Sequence, residues 1–215
     1  MRRIRKGREP ASLTAHRQGG GSYGDYRQKQ ELREALVAEQ RGLCCYCMGR
    51  IRADEASMKV EHWRSQARYR TLELSYRNLL GACRGGQGET PCHQHCDTRK
   101  GERDLIWNPA DPVREVEARV GYRLDGSIYS DDASFDDQMK EVLNLNISFL
   151  KVNRVVVLDS VVNWWKKEKA RLRGRVPATR LRQKRTQLVD GPGSLTPYCQ
   201  VGAWWLERKL ASTKG

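Results

Sequence analysis

Cysteine placement constrains this chain more than any other feature. Of its seven cysteines, six (Cys44, Cys45, Cys47, Cys83, Cys92 and Cys96) fall within 53 residues that also hold three of the four histidines. An odd, clustered set points to metal ligation in a reducing compartment rather than to a disulfide framework. The basic opening Met1–Pro10 is followed by no apolar segment and so does not read as a secretory signal, and a cytoplasmic location is expected. Cys44 and Cys47 form a C-x-x-C pair, and two thiolates at that spacing on a tight turn reach one tetrahedral Zn²⁺ at about 2.3 Å. Four ligands are needed, and Cys83 and Cys96 are the best second pair. Cys92, His93 and His95 compete with them, and the bland alternative is a group of buried free thiols.

The chain of 215 residues carries 40 Lys and Arg against 26 Asp and Glu, a formal charge of +14. That excess favours a polyanionic partner, because each neutralised phosphate releases counterions. Charge alone does not separate nucleic acid from an anionic membrane surface, but no apolar run approaches the roughly 18 residues that span a bilayer. At 38% hydrophobic residues the chain is globular with a modest core.

Residues 1–25 read as a basic, loosely structured arm, Gly-rich at 19–24. The Asp25…Gln28 spacing resembles a capping box, and Leu32, Leu36 and Val37 share one helical face, predicting a helix from about Tyr26 to Gln40 closed by Gly42. A turn at Met48-Gly49, a short strand near Met58–Val60, a glycine loop over 81–88 and a helix over Asp97–Arg103 follow. Beyond Asn108-Pro109 the pattern changes. Asp125-Gly126 between Val120–Leu124 and Ser127–Tyr129 predicts a hairpin. Met139, Val142, Leu143, Ile147 and Leu150 follow helical spacing from Asp136, and a second helix is expected from about Lys151 to Leu172. The expected organisation is an arm (1–25), a zinc-containing module (26–108) and a hairpin with a mainly helical region (109–215).

Between the cysteine groups lie Glu61-His62, Asn78 and Asp97. Phosphodiester hydrolysis needs a base for water, and a neutral imidazole suits neutral pH. It needs a hard cation such as Mg²⁺ or Mn²⁺ on carboxylate oxygen, and something to hold the loop presenting the imidazole, for which an amide is apt. A His beside an acid is common by chance, and a single His is more often a structural hydrogen-bonder. Placed between two zinc-ligand groups and followed by Asn and Asp, the set reads as chemistry.

This order resembles the ββα-metal fold of HNH endonucleases. The resemblance implies that His62 is the general base, that Asn78 positions the loop, and that Glu61 and Asp97 bind the catalytic metal. More closely, the chain is similar to the HNH nuclease subunits of Septu-type and related retron anti-phage systems, the PtuB-like proteins. That similarity runs through Ile4-x-Lys6, Glu9-Pro10, Leu43–Cys47, Val60-Glu61-His62, Tyr76-x-Asn78-Leu79, His95-Cys96-Asp97-x-x-Lys100-Gly101 and Leu143–Asn146 leading to Leu150 and Arg154. It implies an ATPase partner and a role in phage defence, and makes DNA the favoured substrate, although nothing in the composition excludes RNA. Two departures stand out. Glu61 occupies a position where many HNH enzymes have Asp, and Asp97 one where they have His or Asn.

The fold class expected is therefore α+β, a zinc-stapled ββα-metal module followed by a mainly helical region. Structural zinc would sit on Cys44, Cys47, Cys83 and Cys96. Arg64, Arg68, Arg99 and Lys100 surround the site and are the candidate phosphate contacts. Ten Lys or Arg against Glu168 alone over 166–185 could track a nucleic-acid backbone or form a solvated basic helix and linker. Trp164-Trp165 and Trp204-Trp205 invite base stacking, but their apolar neighbours favour helix packing or partner docking, and Cys199 reads as a small apolar residue. Two rival readings remain: a non-catalytic zinc module binding nucleic acid or a partner protein, and an inhibitory or scaffolding subunit whose HNH activity matters only inside an assembly.

Overall fold

Apolar residues scattered through the basic N-terminus decide its structure. In the computed structural model, which describes residues 1–212, Met1, Ile4 and Leu13 are buried. The Ile4 amide donates to the Pro109 carbonyl at 2.7 Å, and Pro10 opens a helix, α1 (Ala11–Gln18). The opening segment is thus not the loose arm expected. Several of its charged residues lie between apolar anchors and keep their head groups at polar partners, as Lys6 does at Glu39 and the Leu79 carbonyl.

The next helix, α2 (Lys29–Glu39), begins later than expected and buries Leu32 and Leu36. Asp25 does not cap it. Its carboxylate accepts from the Ser22 amide at 2.8 Å and meets His16 Nε2 at 2.9 Å, closing the glycine loop instead. Gly42, at φ 74°, ends the helix as expected, with its amide bonded to the Val37 carbonyl.

The chain then reverses through Leu43–Arg50, with Met48 in the left-handed region. Strand β1 (Met58–His62) follows and pairs antiparallel with β2 (Leu79–Cys83), Glu61 opposite Leu80 and His62 opposite Leu79. Gly81 therefore sits inside β2, and the glycine loop begins only at Arg84. A Cβ at Gly81 would stand 2.9 Å from the Ile51 Cδ1, so glycine serves close packing there rather than a turn. The side chain of Gln40 accepts from the Gly81 amide and donates to the Gly81 and Leu43 carbonyls, tying α2 to the strand. One helical turn, α3 (Cys96–Lys100), closes this ββα unit and stops at Gly101, short of the expected Arg103.

The predicted hairpin is present but brief, with β3 (Gly121–Tyr122) paired to β4 (Ile128–Tyr129). Gly126 at its tip has φ 81°, and a Cβ there would come within 2.2 Å of the Lys151 carbonyl oxygen, so a side chain is excluded. Helix α4 (Ala133–Asp137), capped by Asp132, runs into a wide helical turn over Gln138–Val142. The continuous helix suggested by Met139 through Leu150 is broken. Asn144 takes φ 49°, and Ile147 is extended before α5 (Ser148–Arg171) begins. The apolar spacing reflected burial on both sides of the break, not one helical face. A buried Arg154 holds the break, donating to the Leu145 carbonyl at 2.8 Å and the Gly126 carbonyl at 3.0 Å.

The basic stretch 166–185 spans the end of α5, a turn at Arg173-Gly174 and the start of α6 (Ala178–Val189). Helix α7 (Cys199–Ala211) packs on α6 and α5, and Gly202 lets it approach Val161 closely. Trp165 and Trp205 meet edge to face at 5.7 Å, and Cys199 is fully buried, so packing is what these residues do here. The architecture is α+β and mostly helical, with seven α-helices and two small sheets among the described residues. One continuous core joins residues from all three sequence segments. Among the described residues, no helix is long and apolar enough to cross a membrane.

Candidate functional site

Four cysteines converge as the spacing suggested. The sulfurs of Cys44, Cys47, Cys83 and Cys96 all lie within 4.8 Å of one another. Cys44 Sγ is 3.9 Å from Cys96 Sγ, and Cys47 Sγ is 3.7 Å from Cys83 Sγ. Sulfurs on a tetrahedral zinc at about 2.3 Å stand about 3.8 Å apart, and a disulfide would need about 2.05 Å. The donor set therefore fits a zinc ion. Backbone geometry delivers it: Met48 at φ 69° turns the first pair inward, and the Gly49 amide donates to Cys47 Sγ at 3.3 Å. Cys83 ends β2, while Cys96, at φ 53°, opens α3 with its amide bonded to the Leu143 carbonyl. Burial pushes the Cys44 thiol up, but hydrogen bonds from the neighbouring sulfurs outweigh it and hold the group well below the usual thiol range. Of the competing ligands, Cys92 and His93 are exposed, and His95, though buried, stands outside the cluster.

The ββα unit also bears an open cleft of about 250 Å³, with Glu61, His62 and Asp97 in its wall. Glu61 and His62 are adjacent on β1 and both buried; Asp97 lies in the single turn of α3. His62 Nε2 stands 3.0 Å from the Glu73 carbonyl oxygen. A carbonyl only accepts, so the proton resides on Nε2 and the lone pair on Nδ1. Burial lowers the His62 pKa below the ordinary imidazole value, partly offset by the Glu73 hydrogen bond and by Asp97, so the ring favours the neutral form. The edge-to-face contact with Tyr23, 4.5 Å between centroids, fixes the ring further.

Glu61 is the most perturbed acid of the cleft. Burial raises its pKa well above the carboxylate range, and the Asp97 carboxyl, within hydrogen-bonding reach, raises it further. Tyr46, inside the C-x-x-C turn, donates to Glu61 Oε1 at 2.6 Å, and Lys100 Nζ stands 2.9 Å from the same oxygen. Two carboxyls this close repel unless a proton or cation lies between them, and Lys100 and Lys59 bring cations to Glu61 and Asp97.

Asn78 lies behind the cleft and clamps the connection between the strands. Its Oδ1 accepts from the Arg64 amide at 2.8 Å, and its Nδ2 donates to the Arg64 and Leu72 carbonyls at 3.0 and 3.2 Å. Among the anticipated phosphate contacts, Arg68 is exposed, whereas Arg64 lies over Trp63 near Asp104 and Arg99 is half-buried against the Pro91 carbonyl. Lys100 needs correcting. At 1% exposure its ammonium is held by Glu61 and the His62 carbonyl, out of reach of a phosphate backbone. Sequence reasoning missed Tyr46, Tyr23 and Lys59, whose ammonium is 3.4 Å from Asp97 Oδ2. A signal for Lys100 existed, because i,i+3 spacing from Asp97 puts both on one helical face. Comparison with known proteins adds no relative: neither a protein-family model nor a curated protein matches this chain.

Proposed function

We propose that this chain is a metal-dependent endonuclease of the HNH type, hydrolysing phosphodiester bonds in DNA. The observation that carries the reading is the His62 ring. Its tautomer is set by the Glu73 carbonyl, it prefers the neutral form, and it shares one cleft with the Glu61–Asp97 pair. In this mechanism His62 Nδ1 takes the proton of the attacking water as its oxygen bonds to phosphorus and the P–O bond to the leaving oxygen breaks. Glu61 and Asp97 would hold Mg²⁺ or Mn²⁺, which supplies charge neutralisation at the scissile phosphate. Asn78 keeps the loop that carries Glu73 in register with His62, and Tyr46 and Lys100 orient Glu61. A zinc on Cys44, Cys47, Cys83 and Cys96 would be structural, since four thiolates leave no open position for substrate. The sequence resemblance to Septu and retron nuclease subunits supports an anti-phage role beside an ATPase subunit.

One observation favours a second reading, a non-catalytic zinc-stabilised module that binds nucleic acid or a partner. Lys100 and Lys59 already give Glu61 and Asp97 cationic partners within the chain. Plasmid cleavage in Mg²⁺ or Mn²⁺, with and without a neighbouring ATPase, separates the two when run beside His62→Ala. The nuclease reading expects cleavage to fall by about 10²–10⁴-fold in the variant with zinc content unchanged. Absence of cutting by the parent protein in every condition favours the binding module, and equal cutting by both proteins rejects His62 as the base.

A further inference from the structure

A second concave surface lies between the β3–β4 hairpin and the C-terminal half of α7. It measures about 740 Å³ and is walled by Tyr122, Tyr129, Trp204 and Trp205 together with Arg123, Arg208 and Lys209. Among the described residues lining it are three cations and no carboxylate. The nearest acids in sequence, Asp125 and Glu207, are turned to Lys151 and Arg185. The aromatic rings are held firmly. Tyr122 meets Trp204 edge-on at 5.9 Å, with its own hydroxyl fixed by the Met1 amino group, and Trp165 meets Trp205 edge-on at 5.7 Å. Cations lie on the ring faces: Arg208 is 5.2 Å over Trp204, Arg123 is 4.9 Å over Tyr129, and Lys209 is 5.1 Å over Trp205.

We propose that this cleft binds single-stranded nucleic acid, stacking unpaired bases on Trp204 and Tyr129 while Arg123, Arg208 and Lys209 hold the phosphates. Rigid aromatic platforms inside a cationic groove are the two elements of sequence-tolerant single-strand binding. A guanidinium over a ring face marks the position a stacked base takes, and its long side chain carries the charge aside to the adjoining phosphate. The volume falls within the roughly 300–1,000 Å³ typical of small-molecule sites, enough for a base with its sugar and phosphate. A duplex keeps its bases stacked internally and offers these rings nothing. An anionic lipid surface would need apolar side chains to insert, and only Leu124 stands well exposed at the rim. The cleft shares no lining residue with the Glu61–Asp97 cleft, so the proposal stands whether or not the chain cleaves DNA.

Tryptophan fluorescence tests it in the full-length zinc-loaded protein, in a His62→Ala background so that cleavage consumes no ligand. The probes are a twelve-nucleotide oligo-dT, an abasic chain of the same phosphate count, a twelve-base-pair duplex and phosphatidylserine vesicles. Oligo-dT is expected to quench fluorescence and to bind about tenfold or more tightly than the abasic chain, the margin of one stacked base. The double variant Arg123→Glu/Arg208→Glu, with circular dichroism unchanged, is expected to weaken oligo-dT about tenfold, and Arg182→Glu on α6 by less than twofold. Equal binding of oligo-dT and the abasic chain, preference for the duplex, quenching by vesicles alone, or equal weakening by the Arg182 change would each overturn the proposal.

Discussion

Asn78 makes three hydrogen bonds from one side chain, to the amide and carbonyl of Arg64 and to the Leu72 carbonyl. Replacing it by alanine strands those backbone groups, each of which is costly to leave unpaired. Asn78→Ala is expected to lower stability by about 1–3 kcal/mol in urea denaturation, with zinc content intact, because the thiol cluster lies elsewhere. Lys100 allows a different test at the same scale. If its ammonium belongs to Glu61, Lys100→Met leaves the salt dependence of DNA binding unaltered. Arg68→Met, at an exposed position near Asp104, should reduce the slope of log Kobs against log salt by about 1. A slope that changes with Lys100 and not with Arg68 would restore the phosphate role anticipated for Lys100. That Glu61, His62 and Asp97 share one cleft was legible from their place among the cysteine groups. Tyr46 and Tyr23 were not, because nothing in a local pattern tells which side chain a fold will lay against an acid or an imidazole.

At the scale of elements, the ββα unit meets the C-x-x-C turn at its sulfurs. Helix α3 has five residues, too few to persist on propensity, and it is fixed at Cys96. A zinc ion on the four cysteines would hold α3 against the β1–β2 hairpin. Elemental analysis is expected to find one zinc per chain in the parent protein and in Cys92→Ser, and much less in Cys83→Ser. On chelation, hydrogen exchange should rise first in β1, β2 and α3 and last in α5–α7, which carry none of the four clustered cysteines. Uniform loosening of the whole chain would show that the helical region leans on the metal as well. The strands and helices of this unit were legible in outline, with errors at their ends. Gly81 was misread as a loop residue, since a glycine kept for close packing looks identical in sequence to one kept for a turn.

At the scale of the molecule, Arg154 ties together three parts of the C-terminal region. From α5 it reaches the hairpin at Gly126 and the break at Leu145. Arg154→Met would orphan both carbonyls at roughly 1–3 kcal/mol each, and Tm should fall by about 2–4 °C for each kcal/mol lost. A thermal melt within 1 °C of the parent would assign the hairpin's position to its apolar contacts instead.

By itself the sequence determined the local and the chemical. Ligand spacing picked out Cys44, Cys47, Cys83 and Cys96, and Asp125-Gly126 marked the hairpin. The 3.6-residue period found α2 and α5 to within a few residues. These properties follow from short-range geometry, which a few neighbouring side chains fix. Tertiary structure decided what depends on distant partners. It drew Met1, Ile4 and Leu13 into the core, interrupted the apolar run at Asn144, and buried Lys100 beside Glu61. It also held the tryptophans edge-on in a basic cleft. Burial and desolvation are set by everything that packs around a residue, and that surrounding is assembled from segments far apart in the chain.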